Sequence, residues 1–476
     1  MIRPNLVASA SAVVALSLVA VGNAEAQSSR AWISGDHHIH SRWSVGWDTE
    51  TDPPTAIKGG DAIYPIAMNA TMARYYGLSW MVGTDHGGPN HSKVNREQAY
   101  PELLLSRKAV PEVVQFYAME FDTPGADHSS MIMPHTHDEA EKLEELESSF
   151  ATRDAWPRDP TRNTEPKMIE ALEHMRDMDE PPVVIAHHPS RSADSIGVYG
   201  LDAPAEFRKW NNTAPNVAIG MEGAPGHQAV VFRATGDSVT PGPRGAYGRQ
   251  PTMGGFDQMT ARLGGFWDSM LGEGRHWWIT ANSDSHVNWR EGGADFWPGE
   301  YSKTYVYADK AHDDILDGIR GGRVFVTLGD LVSELWVTAE AGGTEAEIGG
   351  ELEVSSGSDV QISVRVLDPA GENSHGDSPE VRRVDVIIGE VHGHLDDPTV
   401  DTNPTTAILQ RFTRSEWSRD GDYIVVNVTI PNVGQDMYVR VRGTNGDELE
   451  PENDPPTEDP WDDLWFYSNP IFLTVR

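Results

Sequence analysis

Between about residues 30 and 330, short apolar runs alternate with longer stretches of helical spacing. The runs at 78–82, 113–117, 183–186, 217–220 and 277–280 are four or five residues long and mostly apolar, the signature of strands buried on both faces. Residues 66–76, 139–149, 167–178 and 311–320 space their apolar positions for one face of a helix. Strand–helix alternation over this length predicts parallel βα units, in an α/β barrel or an open sheet. Residues 225–265, rich in Gly, Pro and Arg, break the pattern and predict a long excursion over one face. From about 335 the helical spacing stops. Val360, Ile362, Val364 and Val366 alternate with polar residues, as do Tyr438, Val439 and Val441 with Arg440 and Arg442. With further strands at 381–388, 423–430 and 470–475, this spacing predicts an all-β sandwich. Residues 446–463 are acidic and Pro-rich; they lack the spaced aspartates of a calcium loop, so a solvated loop is the preferred expectation.

The first residues change the picture. Arg3, an uncharged apolar stretch at 6–21 and Ala24-Glu25-Ala26 read as an export signal removed after Ala26. A membrane anchor is the alternative, but the stretch is short of the roughly 20 residues a span needs, and no basic cluster follows. The expected organisation is therefore a signal peptide at 1–26, an α/β barrel at 27–332 and a β-sandwich at 333–476, in a periplasmic or secreted protein. The length of 476 residues agrees with two or three domains. Cysteine is absent, which excludes disulfides, thiolate metal sites and cysteine nucleophiles. The charge of −36, from 37 basic and 73 acidic residues, argues against nucleic acid or an anionic membrane as partner.

Any metal must then sit on His, Asp and Glu, and five segments of the first region offer them. They are Gly35-Asp36-His37-His38-Ile39-His40-Ser41, Gly83-Thr84-Asp85-His86, Tyr117-Ala118-Met119-Glu120 with His128 following, His187-His188-Pro189-Ser190-Arg191, and Asn282-Ser283-Asp284-Ser285-His286. Each follows an apolar run, where an α/β barrel places its active-site loops. Alternate strand residues share a face, so His38 and His40 can share a metal. Titratable groups gathered at strand ends need pairing or a metal to be tolerated. Two other H-x-H pairs, His135/His137 and His392/His394, lie outside this series.

In order, these segments resemble the D-x-H-x-H-[ST], T-D-H, x-x-E, H-P and S-D-x-H signatures of the PHP family, named for polymerase and histidinol phosphatase. The resemblance spans residues 36–286. It implies a distorted (β/α)7 barrel with two or three divalent metals, Zn, Mn or Fe, in its mouth. The implied ligands are His38, His40, Asp61, His86, Glu120, His128, His188, Asp284 and His286. Asp48 rivals Asp61, because residues 41–60 read as an insertion, and His187 rivals His188. Arg191 matches an arginine that contacts substrate phosphate in phosphatase-like members. The run at 314–327 and the β region resemble a secreted subgroup of PHP metallohydrolases that includes a carbaryl-type carbamate hydrolase.

A mixed N/O donor set suits Zn, Mn or Fe, and no serine-elbow or cysteine nucleophile is present. The expectation is a metal-dependent hydrolase of small-molecule organophosphate diesters, acting through hydroxide held by the metals. A carbamate or carboxylic ester hydrolase is the alternative, and a non-catalytic binding protein a third. Asp85 is expected to orient water or a ligand histidine, Arg191 to hold phosphate, and His227 to protonate the leaving group or to be a plain loop residue. Trp43, Trp47, Trp267, Trp289 and Trp297 would suit an organic leaving group near the mouth, or simple packing.

Overall fold

The structure is a computed structural model that describes residues 30–232 and 243–476. The expected export signal at 1–26 lies outside the described residues. Among the described residues no helix is long and apolar enough to cross a membrane.

The first region opens with β1 (Ala31–Ile39), a hairpin of β2 (Gly46–Asp48) and β3 (Thr55–Ile57), α1 (Ile66–Tyr75) and β4 (Trp80–Gly83). It continues through α2 (His91–Val94), α3 (Tyr100–Ala109), β5 (Val114–Asp122), β6 (His128–Ile132), α4 (Glu139–Phe150), α5 (Glu165–Arg176) and β7 (Val183–Ala186). After α6 (Pro204–Thr213) and β8 (Ala218–Ala224) come α7 (Gln258–Ala261), α8 (Phe266–Gly272), β9 (Trp278–Ala281), β10 (Ser302–Ala308), α9 (His312–Arg320) and β11 (Val324–Leu328). Each apolar run lies on a strand, and each stretch of helical spacing on a helix. The helices bury the stripe that spacing marks: Ala140, Leu143, Leu146 and Phe150 on α4, and Met168, Ala171, Leu172 and Met175 on α5.

The sheet these strands form is mixed, which corrects the expectation of parallel βα units. β6 runs antiparallel to both β5 and β7, and β10 antiparallel to β1 and β11. β4–β5, β7–β8 and β8–β9 are parallel. β6 follows β5 through a turn of a few residues, too short for a parallel crossover.

The ladder order from β1 through β4, β5, β6, β7 and β8 to β9 puts β9 six strands from β1. In a flat sheet that is about 29 Å. Yet buried His37 on β1 touches Ser130 of β6 at 3.0 Å and Thr280 of β9 at 2.8 Å. The sheet is therefore rolled with His37 inside the roll. Among the described residues no ladder joins β9 to β1, so hydrogen-bonded pairing does not close it. An isolated parallel bridge, Ile39 with Ser285, meets across the gap.

Past residue 332 the described chain is strands and loops. They are β12 (Glu334–Ala341), β13 (Thr344–Glu347), β14 (Glu351–Val354), β15 (Ser358–Leu367), β16 (Arg383–Glu390) and β17 (Ala407–Thr413). Then follow β18 (Ser418–Asp420), β19 (Tyr423–Val433), β20 (Met437–Thr444), β21 (Trp465–Ser468) and β22 (Ile471–Val475). Five of them form a separate antiparallel sheet, in the order β13-β12-β15-β19-β18, which buries Val360, Ile362, Val364 and Val366. The rest extend the large sheet, because β21 pairs with β11. A fully buried ion pair, Arg440 on β20 with Asp268 on α8 at 2.7 Å, crosses between the regions.

The acidic segment at 446–463 is largely exposed, as expected of a solvated loop, but it is anchored at a few buried points. Asp454 is fully buried and Trp461 is 5% exposed. The partner is Arg244, in the excursion at 225–265, whose fully buried guanidinium pairs with Asp454 and with Asp463 at 2.8 Å. A cation supplied from another loop removes the reason for these acids to seek water.

Candidate metal centre

β5 ends in a charged residue that the fold fully covers. Glu120 is 1% exposed, and six imidazoles surround it, the farthest being His40 Nε2 at 3.8 Å from Oε2. Its Oε1 lies 2.9 Å from His187 Nδ1, 3.0 Å from His128 Nδ1, 3.2 Å from His38 Nε2 and 3.5 Å from His188 Nε2. Its Oε2 lies 2.5 Å from His86 Nδ1. Asp284, just past β9, is a second hub. Its Oδ1 is 3.0 Å from both His38 Nε2 and His40 Nε2, and its Oδ2 is 2.6 Å from His227 Nε2. Asp61 forms the outer edge, 3.2 Å from His286 Nε2 and 3.6 Å from His86 Nε2.

Strand alternation explains the division of labour on β1: His38 and His40 face the carboxylates, while His37 points into the roll. Other residues fix the rings. Glu222 on β8 accepts from His38 Nδ1 at 2.7 Å and from the His188 backbone N–H at 2.5 Å. Asp36 accepts from the backbone N–H groups of His38 at 3.0 Å and Ser283 at 3.1 Å, tying the end of β1 to the Asp284 turn. Asp85 acts one step away from the cluster. It accepts from Ser41 N–H at 2.6 Å and from Ser44 Oγ at 3.2 Å, and that hydroxyl meets His40 Nδ1 at 2.8 Å. Asp295 holds His227 Nδ1 and accepts from the His286 backbone N–H at 2.9 Å. His188, His227 and Asp284 all have positive φ, at 27°, 56° and 49°. Such backbone costs on the order of 1–3 kcal/mol and persists where surrounding contacts impose it, a common property of ligand sites.

The charges are strongly coupled. Burial opposes ionisation of Glu120, but His128, His86 and His38 outweigh it and hold the carboxyl well below its usual range. Asp284 follows the same balance through His227 and His38. Burial also opposes a charge on Asp61, and His286, His86 and His40 bring it down to about 2. Burial, with His286 and His86 as like-charged neighbours, drives His40 well below the ordinary imidazole range. Burial and His38 do the same to His187. Burial also opposes a charge on His38, His128 and His286, but Asp284 and Glu222, Glu120, and Asp61 respectively outweigh it and raise them. The carboxylates are thus held ionised, the state that metal ligation needs, while the imidazoles divide between raised and lowered.

Several of these atoms touch without hydrogen-bonding. Glu120 Oε2, His86 Nδ1, His128 Nδ1, both ring nitrogens of His188 and Asp284 Oδ1 are buried with no hydrogen-bond partner. Buried polar atoms almost always find one. Here they converge on common points, in groups that include His38/His40/Glu120, His86/Glu120/His128, Glu120/His187/His188 and His40/Asp61/His86/His286. Several buried His, Glu and Asp groups are thus positioned to bind metal ions, and their nitrogen and oxygen donors fit Zn, Mn or Fe.

All nine ligand positions named from the sequence meet in this cluster, together with His187 and His227. Asp48 instead lies on β2, where it accepts from Glu50 N–H at 3.0 Å. Arg191 borders the cluster, donating from Nη2 to Asp127 at 2.9 Å. His135 packs on His312 and pairs with Glu139 at 3.1 Å, His137 is 96% exposed, and His392 and His394 are exposed in the β region. Three of the five tryptophans are packing residues: Trp267 is buried under Arg440, Trp297 packs on Tyr64, and Trp43 donates to Glu102 at 2.9 Å, while Trp47, against Gly88, and Trp289, against Phe232, are half-buried. Glu222, Asp127 and Asp295 escaped the sequence reading. The available signals were a lone acid inside the apolar run of β8 and an acid directly before His128. No protein-family model matches the chain, and no curated protein matches it.

Proposed function

We propose that the protein is a metal-dependent phosphoester hydrolase of the PHP kind, with an organic phosphodiester as substrate. One observation carries the reading: imidazoles and carboxylates from the ends of β1, β4, β5, β7 and β9 and the start of β6 converge on Glu120 and Asp284, with buried donor atoms that have no other partner. In this reading β1 and β4–β9 are a distorted seven-stranded barrel and residues 333–476 a β-sandwich. The His37 contacts across the roll and the Ile39–Ser285 bridge support the barrel. The pattern at 1–26 supports export to the periplasm or the medium.

Two or three divalent ions, Zn, Mn or Fe, would supply Lewis acidity there and lower the pKa of water. Glu120, His38, His40, Asp61, His86, His128, His188, Asp284 and His286 would hold these ions. His188 is preferred to His187 because both its ring nitrogens are buried without a hydrogen-bond partner, whereas His187 Nε2 is held by Ser130 at 2.5 Å. Asp85 orients His40 through Ser44. Arg191 spends one N–H group on Asp127, and its remaining donors can take a phosphoryl oxygen. His227, its Nδ1 held by Asp295, would hold a proton at Nε2, where Asp284 Oδ2 lies 2.6 Å away and a leaving oxygen would compete for it. Hydrolysis of a carbamate or carboxylic ester is the second reading. Asp127 favours it, because it offsets part of the Arg191 charge that a phosphate would use.

The test is metal content together with turnover of a nitrophenyl phosphodiester. Glu120→Gln is expected to lose bound metal and to lower kcat by roughly 10³-fold or more, because a two-metal clamp fails with one of its ligands removed. Wild-type turnover by a metal-free Glu120→Gln protein would end the metallohydrolase reading.

A further inference from the structure

The excursion at 225–265 meets the cluster on one side and the acidic segment on the other, and Arg244 joins the two. Its side chain is fully buried, an expensive position for a guanidinium without close counter-charges. Asp454 and Asp463 pair with it directly, Glu458 approaches to 3.6 Å, and Pro460 carbonyl accepts at 3.3 Å. Asp454 also accepts from Thr252 Oγ1 at 2.6 Å and from the backbone N–H groups of Gly254 and Gly255 at 2.7 and 3.0 Å. The C-terminal acids thus grip residues 244–255 at several points.

The far side of the same loop holds active-site residues. Gly245, at φ 68°, donates its N–H to the His227 carbonyl at 3.2 Å. Tyr247 donates to Asp257, which accepts from the Ser190 backbone N–H at 2.9 Å. Ser190 sits in the turn between His188 and Arg191.

We propose that Arg244 is a positioning residue: the C-terminal acidic segment clamps it, and it thereby sets His227 and the His188–Arg191 turn. The inference rests on the reading that His227 and Arg191 serve phosphoester hydrolysis. It makes the far end of the chain a part of the active site, although none of those acids touches the cluster. Neutralising Arg244 leaves Asp454 and Asp463 buried and mutually repelling, so the grip on 244–255 opens. His227 then loses the Gly245 tether on its carbonyl and keeps only the bond of its N–H to the Ser283 carbonyl at 3.0 Å, while Glu120 and Asp284 keep their places.

The experiment uses the full-length metal-loaded protein with Arg244→Gln, Arg244→Lys and Asp454→Asn. Arg382→Gln is the control; it removes the same charge from an exposed pair with Asp447, also in the acidic segment. Three quantities are read: metal content, hydrogen exchange across 243–257, and kcat over a series of phosphodiesters with good and poor leaving groups. Arg244→Gln is expected to keep its metal and to exchange about tenfold faster across 243–257. Its kcat should fall tenfold or more, most for poor leaving groups, which depend on the His227 proton. Arg244→Lys recovers part of each effect, and Arg382→Gln matches wild type. A folded Arg244→Gln protein with unchanged exchange and unchanged leaving-group dependence overturns the proposal. If Arg244→Gln does not fold, Asp454→Asn carries the same two readouts. A wild-type protein inactive on all phosphodiesters defeats the functional reading alone, and faster exchange in the variants still establishes the clamp.

Discussion

A guanidinium matches two phosphoryl oxygens at once, whereas an ester or carbamate offers one carbonyl oxygen that a metal already polarises. Arg191 therefore separates the two chemistries. Arg191→Ala is expected to lower kcat/KM for a phosphodiester by on the order of 10²-fold, about 2.7 kcal/mol, and to hurt carboxylic esters far less, with metal content intact. Steady-state kinetics on both substrate classes checks it; equal small losses would favour the ester reading. The sequence made this residue visible because it lies three positions after His188, in one local turn. The same holds for His38, His40, His86, Asp284 and His286, each inside a short segment at a strand end. Glu222, Asp127 and Asp295 were not legible for the opposite reason. Glu222 acts on His38 from 184 residues away, and nothing in local spacing records a contact made by rolling a sheet. Trp43, Trp267 and Trp297 show the other alternative: a residue suited to binding an aromatic group is equally suited to packing, and position decides.

At the scale of elements, apolar spacing located strands and helices whose burial is one-sided or complete, and it missed those whose buried face is polar. β6 reads His-Ser-Ser-Met-Ile, yet Ser129 and Ser130 are fully buried, with Ser130 hydrogen-bonded to His37 and His187. Its antiparallel direction followed from the short turn after β5, which spacing alone does not encode. α6 was missed as well, and it carries a testable liability. Glu206 on α6 is 7% exposed, its Oε1 has no hydrogen-bond partner, and burial together with Glu165 pushes its carboxyl up to about 8. A raised acid pKa means the folded state binds the proton more tightly than the unfolded chain. Stability is therefore full below about pH 4.5 and declines as pH rises toward 8. Glu206→Gln should raise the melting temperature at pH 8, by on the order of a few kcal/mol of stability, and change little at pH 4. Paired thermal melts at the two pH values check it; an equal shift at both would remove the buried carboxylate as the cause.

At the scale of the whole molecule, the all-β texture after residue 335 was legible, but its union with the first region was not, because pairing partners are not written in periodicity. β21 completes the edge of β11, and Arg440 reaches into the first region to Asp268. Arg440→Met strands a buried carboxylate and is expected to cost about 3–5 kcal/mol, read as a lower denaturant midpoint. Adding Asp268→Leu should recover a large part of the loss. The sheet order also bears on how the protein comes to be made. Every proposed ligand lies before residue 287, yet β21 begins at Trp465, close to the end of the chain. A nascent chain that has already emerged with all of its proposed ligand histidines still presents β11 as an unpaired edge, and Arg244 without its counter-charges. Such a half-made chain is a sticky intermediate with a loose cluster, prone to capture the wrong ion or a neighbouring strand. On the proposed function, metal bound at the cluster is expected to be held tightly only once residues 446–468 have docked against β11 and Arg244.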